Sequence, residues 1–275
     1  MNGEQLKQKI RGGGIVYGTM LSTIRSPRWA IPIAGLGLDF VIIDTEHSPR
    51  GRAEVADLIV ALENTSVVPI VRIPIPASHH VTMAIDAGAH GILAPYCETV
   101  EEVKEVVGAT KWRPLKGELV RRVMDTGQFP SDDTKKYLEN RNRSNICLIG
   151  IESSRGIENL VDILQIPGID GIFVGPNDLS ISLGIPDQYD HPNYVDAVRR
   201  VITTSKSYGV PTLVHHQSVQ LTSQWLKEGA RFVLYGSDAR FLHEGVRVAF
   251  SPIKELGEKL SGETVAEIGE SDEIL

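Results

Sequence analysis

The chain has 275 residues, 41% of them hydrophobic and 23% charged, with a formal net charge of −7. That composition allows a large apolar core without disulfides, and the acidic balance, with no Lys/Arg run, argues against a nucleic-acid partner. No apolar stretch approaches the ~18 residues of a membrane span, and the opening MNGEQLKQKIRGGG lacks the apolar centre of a signal peptide. Cys97 and Cys147 stand far apart and make no metal-spaced pair, which fits a reducing compartment. The expected location is cytoplasmic, with neither membrane nor nucleic acid as a partner.

Short apolar runs rich in Val and Ile alternate with longer amphipathic segments. The first strand is expected at 15–19 and the first helix at 27–37. Strands at 39–43 and 68–73 flank a helix at 52–64. Helix 77–87, strand 91–95 and helix 100–109 follow. After a long gap come strand 146–151, helix 154–165, strand 171–174 and helix 192–208. Strand 211–215, helix 218–228, strand 231–234 and helix 239–258 complete the series. The strands are apolar throughout, as parallel strands covered on both faces are. Gly just past the helices in AIDAGAHG and WLKEGARF marks left-handed C-caps.

Eight strand–helix units in strict alternation predict an α/β fold, a closed (β/α)8 barrel. The open doubly wound sheet is disfavoured because no GxGxxG or P-loop follows the first strand. The expected organisation is a single barrel domain over 1–275, with an excursion at 111–144 and a C-terminal tail at 251–275. The excursion is highly charged and carries one short helix near 134–141. It reads either as a charged lid over the rim or as a solvated loop. The acidic tail reads as a frayed terminus or as a segment that docks on a neighbouring subunit.

In such a barrel the chemistry sits at the C-terminal ends of the strands. The second strand ends in IIDTEHSPR, with Asp44, Glu46 and His47, and the third in VRIP, with Arg72. The fifth ends in IGIESS, with Glu152, and the sixth in FVGPNDLS, with Asn177, Asp178 and Ser180. The seventh ends in LVHHQ, with His215 and His216, and the eighth in YGSD, with Ser237 and Asp238. Glu152 and Asp178 end adjacent strands. Each alone reads equally as a helix-capping acid. Together they suit Mg²⁺ or Mn²⁺, with Co²⁺ as a further candidate, and no thiolate or multi-His spacing points to zinc.

Arg72 is a fixed cation at the rim, suited to an enolate oxygen or a carboxylate, or else to an ion pair with Asp44 or Asp86. His47 follows Asp44 by three residues, an orienter-and-base spacing. The turn at Gly175, Pro176 and Asn177 offers backbone N–H groups to an anion. Of the neighbours His215 and His216, at most one faces the barrel. Lys104 and Lys111 fall on or after a helix, away from strand ends, which argues against Schiff-base chemistry.

The phrases GLDFVIIDTEHSP, VPIVRIP, DAGAHGILAPYCETVEEV, IGIESSRGIENL, IPGIDGIFVGPNDLSISLG and EGARFVLYGSD occur in this order between about residues 15 and 247. In that order they resemble the HpcH/HpaI aldolase family of pyruvate-dependent class II aldolases. The resemblance implies a TIM barrel of the phosphoenolpyruvate/pyruvate-domain type. It implies a carbon–carbon lyase that cleaves a 4-hydroxy-2-oxo acid reversibly to pyruvate and an aldehyde, with a divalent metal as cofactor. By position, Glu152 and Asp178 resemble the metal-binding carboxylates and Arg72 the arginine that stabilises the enolate oxygen. His47, with Asp44 behind it, resembles the histidine that works through a water as base. Asp86 resembles an acid near that cluster, and Gly175, Pro176 and Asn177 the carboxylate pocket.

The family is commonly a hexamer of barrels that exchange C-terminal helices, so a homo-oligomer is implied. The other implied partners are a small-molecule 2-oxo acid and an aldehyde. The chain departs from the family's pattern in two places. Ile149, Gly150, Ile151 and Glu152 stand where the family often reads Val-Gln-Ile-Glu, and the charged stretch 112–143 replaces an Arg-Gly-rich loop. The alternatives are another pyruvate-enolate or CoA-thioester lyase or synthase, and a non-catalytic barrel that binds a 2-oxo acid.

Overall fold

In the computed structural model, which describes residues 1–262, eight parallel strands close into a barrel in chain order. The strands are β1 Val16–Leu21, β2 Phe40–Asp44, β3 Val68–Arg72, β4 Gly91–Ala94, β5 Ile146–Gly150, β6 Gly171–Val174, β7 Thr212–His216 and β8 Phe232–Ser237. The helices that return the chain between them are α2 Ala30–Ala34, α3 Arg52–Glu63, α4 Ser78–Asp86, α5 Val100–Lys111, α8 Ser154–Glu158, α9 Leu160–Leu164, α11 Pro192–Ser207 and α12 Val219–Glu228. The chain is thus a (β/α)8 TIM barrel.

The period of two along each strand divides its side chains between two cores. Phe40, Ile42, Val68, Ile70, Leu148, Phe173, Leu213 and Leu234 fill the barrel interior. Val41, Ile43, Val71, Ile149, Ile172 and Val214 meet the helices outside. Burial on both faces is why the strands read as unbroken apolar runs, each fully buried Val, Ile or Leu contributing ~1.5–3 kcal/mol. Toward the C-terminal ends the inward positions change character. Above Ile42, Ile70, Leu148 and Leu213 stand Asp44, Arg72, Gly150 and His215. The mouth of the barrel is therefore polar where its lower layers are apolar.

The other end is closed by a helix absent from the sequence-based expectation, α1 Gly3–Arg11. A capping box between Asn2 and Gln5 starts it, and Leu6 and Ile10, one turn apart, join the interior cluster. Lys7 Nζ donates to the carbonyls of Arg143 (2.5 Å) and Asn145 (3.1 Å), and Lys9 Nζ lies 2.7 Å from Asp39.

The excursion holds two helices, α6 Gly117–Thr126 and α7 Asp132–Asn142. Of the two readings open for it, a lid over the rim and a solvated loop, the packing does not bear out the lid. Helix α5 descends from the mouth, so the segment after it starts at the floor. It packs outside α5, with Lys104 paired to Asp125 at 2.7 Å and Trp112 edge-on to Phe129 at 4.9 Å. Beyond β6 lies the short α10, Pro176–Ser182, and beyond β8 the long α13, Asp238–Ser261, which continues helically past Pro252. The tail expected from 251 is helical to Ser261, and its part at 263–275 lies outside the described residues. Among the described residues no helix is long and apolar enough to cross a membrane.

Candidate active site

The register sets Asp44 of β2 beside Arg72 of β3, both inward and both buried. Arg72 Nε donates to Asp44 Oδ1 at 2.7 Å. Asp44 also accepts from the Glu46 N–H (3.0 Å) and from Ser48 Oγ (3.1 Å). Burial pushes the Asp44 carboxyl up, but the bonds and charge of Arg72 outweigh it and hold the group below its ordinary value. Arg72 in turn is raised, because Asp44, Glu46 and Glu152 outweigh its own burial. Its Nη1 lies 3.1 Å from Glu46 Oε2, so two carboxylates grip one guanidinium and fix its plane. Burial lifts Glu46 above its ordinary value, with Asp44 and Asp178 adding to the effect against Arg72 and His47.

Glu152 follows β5 and is 2% exposed. Its Oε2 accepts the Tyr96 N–H at 2.6 Å, and it has no ion pair among the described residues. Tyr96 takes φ +46°, a left-handed conformation that costs a non-glycine residue ~1–2 kcal/mol and here aims its N–H at the carboxylate. Two glycines make room for Glu152. A Cβ on Gly175 would overlap Oε1, and one on Gly150 would lie 3.0 Å from Oε2 and 2.9 Å from the Ala94 carbonyl oxygen. The departure at Gly150 thus has a packing reason, since a side chain does not fit there without moving β4 or Glu152. Burial first, then the charges of Asp178 and Glu46, raise Glu152 to about 8 against the Tyr96 bond and Arg72. Asp178, half-buried in the first turn of α10, is the nearby second carboxylate expected from the sequence. No group of three or more His, Cys, Asp and Glu side chains suited to a metal occurs among the described residues.

The remaining expected residues divide. His47 is at the rim with its side chain 53% exposed, and its Nε2 lies 3.6 Å from Glu46 Oε2. The pairing of His47 with Asp44 is corrected: among the described residues Asp44 bonds Arg72, Ser48 and the Glu46 N–H, while His47 lies against Glu46 instead. Asp86 is not brought to the cluster within the chain. It is the last residue of α4, which descends from the mouth, so it sits toward the floor, where it pairs with Arg113. Gly175 lies against Glu152, and Pro176 opens α10, but the Asn177 amide turns outward to Asp187 at 3.1 Å. His215 faces the barrel, whereas His216 is buried against Tyr194, whose hydroxyl is 3.2 Å from its Nε2, and against Trp225.

Residues 20–244 match the family described as HpcH/HpaI aldolase/citrate lyase. The chain belongs to that family. It is 31% identical over 252 residues to the hydroxypyruvate/pyruvate aldolase of Roseobacter denitrificans, covering 88% of this chain and 94% of that one. It is 30% identical over 267 residues to a 2-keto-3-deoxy-L-rhamnonate aldolase of Escherichia coli, covering 93% and 96%. The crystal structure of an HpcH/HpaI aldolase from Desulfitobacterium hafniense superposes with a TM-score of 0.79 at 28% identity, over 91% of this chain and 96% of that one.

Within this HpcH/HpaI barrel, two contributors, Glu46 and Tyr96, had no assigned role in the sequence, and a third, Gly175, had a different one. Glu46 was visible at the strand end, two residues from Asp44, but only its 3.1 Å approach to Arg72 and its contact with His47 give it a part. The Tyr96 N–H leaves no trace in residue identity. Gly175 was read as a turn that offers N–H groups, while its lack of a Cβ is what admits Glu152.

Proposed function

We propose that this chain is a divalent-metal-dependent aldolase that cleaves a 4-hydroxy-2-oxo acid to pyruvate and an aldehyde, reversibly. The observation that carries the reading is the acid surplus at the mouth. Among the described residues a buried carboxylate, Glu152, has one backbone donor and no ion pair, with Asp178 and Glu46 close enough to raise its pKa. A buried anion of this kind is costly unless a cation joins it. Glu152 and Asp178 would hold that cation, Mg²⁺ or Mn²⁺, which accept two carboxylates and leave positions for substrate oxygens. Bound there, the ion supplies Lewis acidity to the carboxylate and keto oxygens of a 2-oxo acid.

The chain's own groups supply the rest. Arg72, clamped by Asp44 and Glu46, presents fixed N–H donors to the C2 oxygen that gains charge as the C3–C4 bond breaks. His47, open at the rim beside Glu46, takes the C4-hydroxyl proton directly or through water, so the aldehyde leaves and the enolate remains. Return of a proton to C3 yields pyruvate. The aldolase relatives support this assignment of substrate class. Self-association belongs to the same reading. Leu242, Val246, Ile253, Leu256 and Leu260 recur on one side of α13 and are exposed in the single chain, so light scattering should return a mass above 30.1 kDa.

The test is exchange of the pyruvate C3 protons in D₂O, followed by NMR. Exchange is expected with Mg²⁺ or Mn²⁺, and loss of exchange after chelation or in Asp178→Asn. Undiminished exchange after exhaustive chelation would remove the metal. Metal binding without exchange under any divalent ion would leave a barrel that only binds its 2-oxo acid.

A further inference from the structure

We propose that His215 reads a substrate hydroxyl inside the barrel mouth, an inference that rests on the aldolase reading above. Leu213 of β7 belongs to the interior cluster, and His215, two residues on, shares its face. It stands one layer above the apolar interior, at the level of Asp44 and Arg72, and both of those charges act on it. Its Nε2 is 3.3 Å from the Gly236 carbonyl oxygen. A carbonyl only accepts, so Nε2 carries the proton and Nδ1 keeps a lone pair. Burial, aided by the positive charge of Arg72, lowers the imidazole to about 4, and the ring is neutral at physiological pH. The residue is half-buried.

A neutral lone pair in this place selects by chemistry. The carboxylate, keto and enolate oxygens of a 2-oxo acid are acceptors and cannot pair with it. An ammonium group would have to settle near Arg72. An alcohol hydroxyl is the neutral donor that fits, and a substrate without one leaves Nδ1 desolvated and unpaired. The hydroxyl has two sources. It belongs either to the aldehyde, as in glycolaldehyde, or to C3 of the 2-oxo acid, as in hydroxypyruvate.

Two matched pairs separate the sources: glycolaldehyde against acetaldehyde with pyruvate as donor, and hydroxypyruvate against pyruvate with a common aldehyde. In one of them the wild type should favour the hydroxylated member in kcat/KM, and His215→Leu should reduce that preference by about tenfold or more. His215→Asn, whose amide oxygen can take the place of Nδ1, should keep most of it. A merely structural histidine, tying β7 to β8, would lower both members of each pair equally. Preferences in His215→Leu within about twofold of wild type in both pairs would overturn the proposal. If the wild type turns over nothing, the aldolase reading falls by itself. The hydroxyl reading is then decided by the ¹⁵N resonance of His215 Nδ1, which should move with glycolaldehyde or hydroxypyruvate and stay in place with acetaldehyde and pyruvate. No movement with either hydroxylated probe would overturn it.

Discussion

The two ends of the barrel handle charge in opposite ways. At the floor, Asp170 pairs with Lys111, lies 3.8 Å from Arg11 and accepts the Cys147 N–H at 2.9 Å. Asp39 likewise takes Lys9 and the Tyr17 N–H. These acids meet both a cation and a backbone donor. At the mouth, Asp44 and Glu46 share Arg72, while Glu152 and Asp178 have no ion pair among the described residues. Burial alone does not separate the ends, since acids with little exposure stand at both, Glu152 at 2% and the Asp170 side chain at 7%. Balance does: the floor acids named here are paired within the chain, whereas Glu152 and Asp178 are not paired among the described residues, and under the proposed function a cation would balance them.

Breaking the balance at the floor should have the largest effect on stability. Lys111→Met leaves the Asp170 side chain, 7% exposed, without its main partner. The expected loss is ~3–5 kcal/mol in urea unfolding, with pyruvate exchange per folded molecule retained. At the mouth the corresponding change should act on rate. Arg72→Lys keeps the charge beside Asp44 but loses the planar fork that spans Asp44 and Glu46. It should lower kcat by ~10²–10³ while shifting pyruvate KM much less. A normal kcat with a large drop in unfolding free energy would make Arg72 a structural pair like those at the floor.

A sharper contrast comes from Glu152→Gln in the metal-free protein. The fold raises this carboxyl from 4.5 to about 8, so its stabilising contribution is complete below pH 4.5 and is lost as pH rises through about 8. Metal-free wild type should therefore lose stability across that window relative to the variant, which carries no charge there. Thermal melts at pH 8 should show Glu152→Gln more stable than metal-free wild type and inactive. Mn²⁺ should raise the melting temperature of the wild type and leave the variant unmoved. A variant less stable at pH 8 would show that Glu152 is already balanced, as Asp170 is.

The barrel was legible because its signal is local. An apolar run covered on both faces looks the same wherever it stands, and the expected strands fall within a few residues of the observed ones. Helices α1 and α6 were not, because a few apolar residues in polar surroundings, Leu6 and Ile10 or Val120 and Val123, become a buried face only once something packs on them. In the site, Asp44, Arg72 and Glu152 could be found from strand ends alone, since the inward parity continues from Ile42, Ile70 and Leu148. Pairings among them could not. Sequence spacing joins His47 to Asp44, but parity turns Asp44 toward Arg72 and leaves His47 at the rim. Asp86 matched a family phrase, yet a residue that ends a returning helix is carried toward the floor.

The smallest expected effect concerns the barrel wall, where His216 turns its back on the mouth that His215 faces. His216 is 3% exposed, bonded to the Tyr194 hydroxyl and stacked on Trp225. Burial, with His215 beside it, lowers its pKa from 6.5 to about 3. Between these values the unfolded chain takes up a proton that the fold refuses. The contribution of this histidine is therefore fully present above pH 6.5 and lost as pH falls toward 3, by about 1.4 kcal/mol per pH unit. His216→Phe keeps a ring between Tyr194 and Trp225 but cannot titrate. Its unfolding free energy should fall less steeply than that of wild type between pH 6 and pH 4, by about 1.4 kcal/mol per unit. At pH 7.5 the variant should be weaker by about 1–3 kcal/mol, because the Tyr194 hydroxyl is left buried and unbonded. Adding Tyr194→Phe should recover part of that loss without restoring the acid slope. Equal acid slopes in wild type and His216→Phe would mean that the wall admits a proton and that its separation from the wet mouth is incomplete.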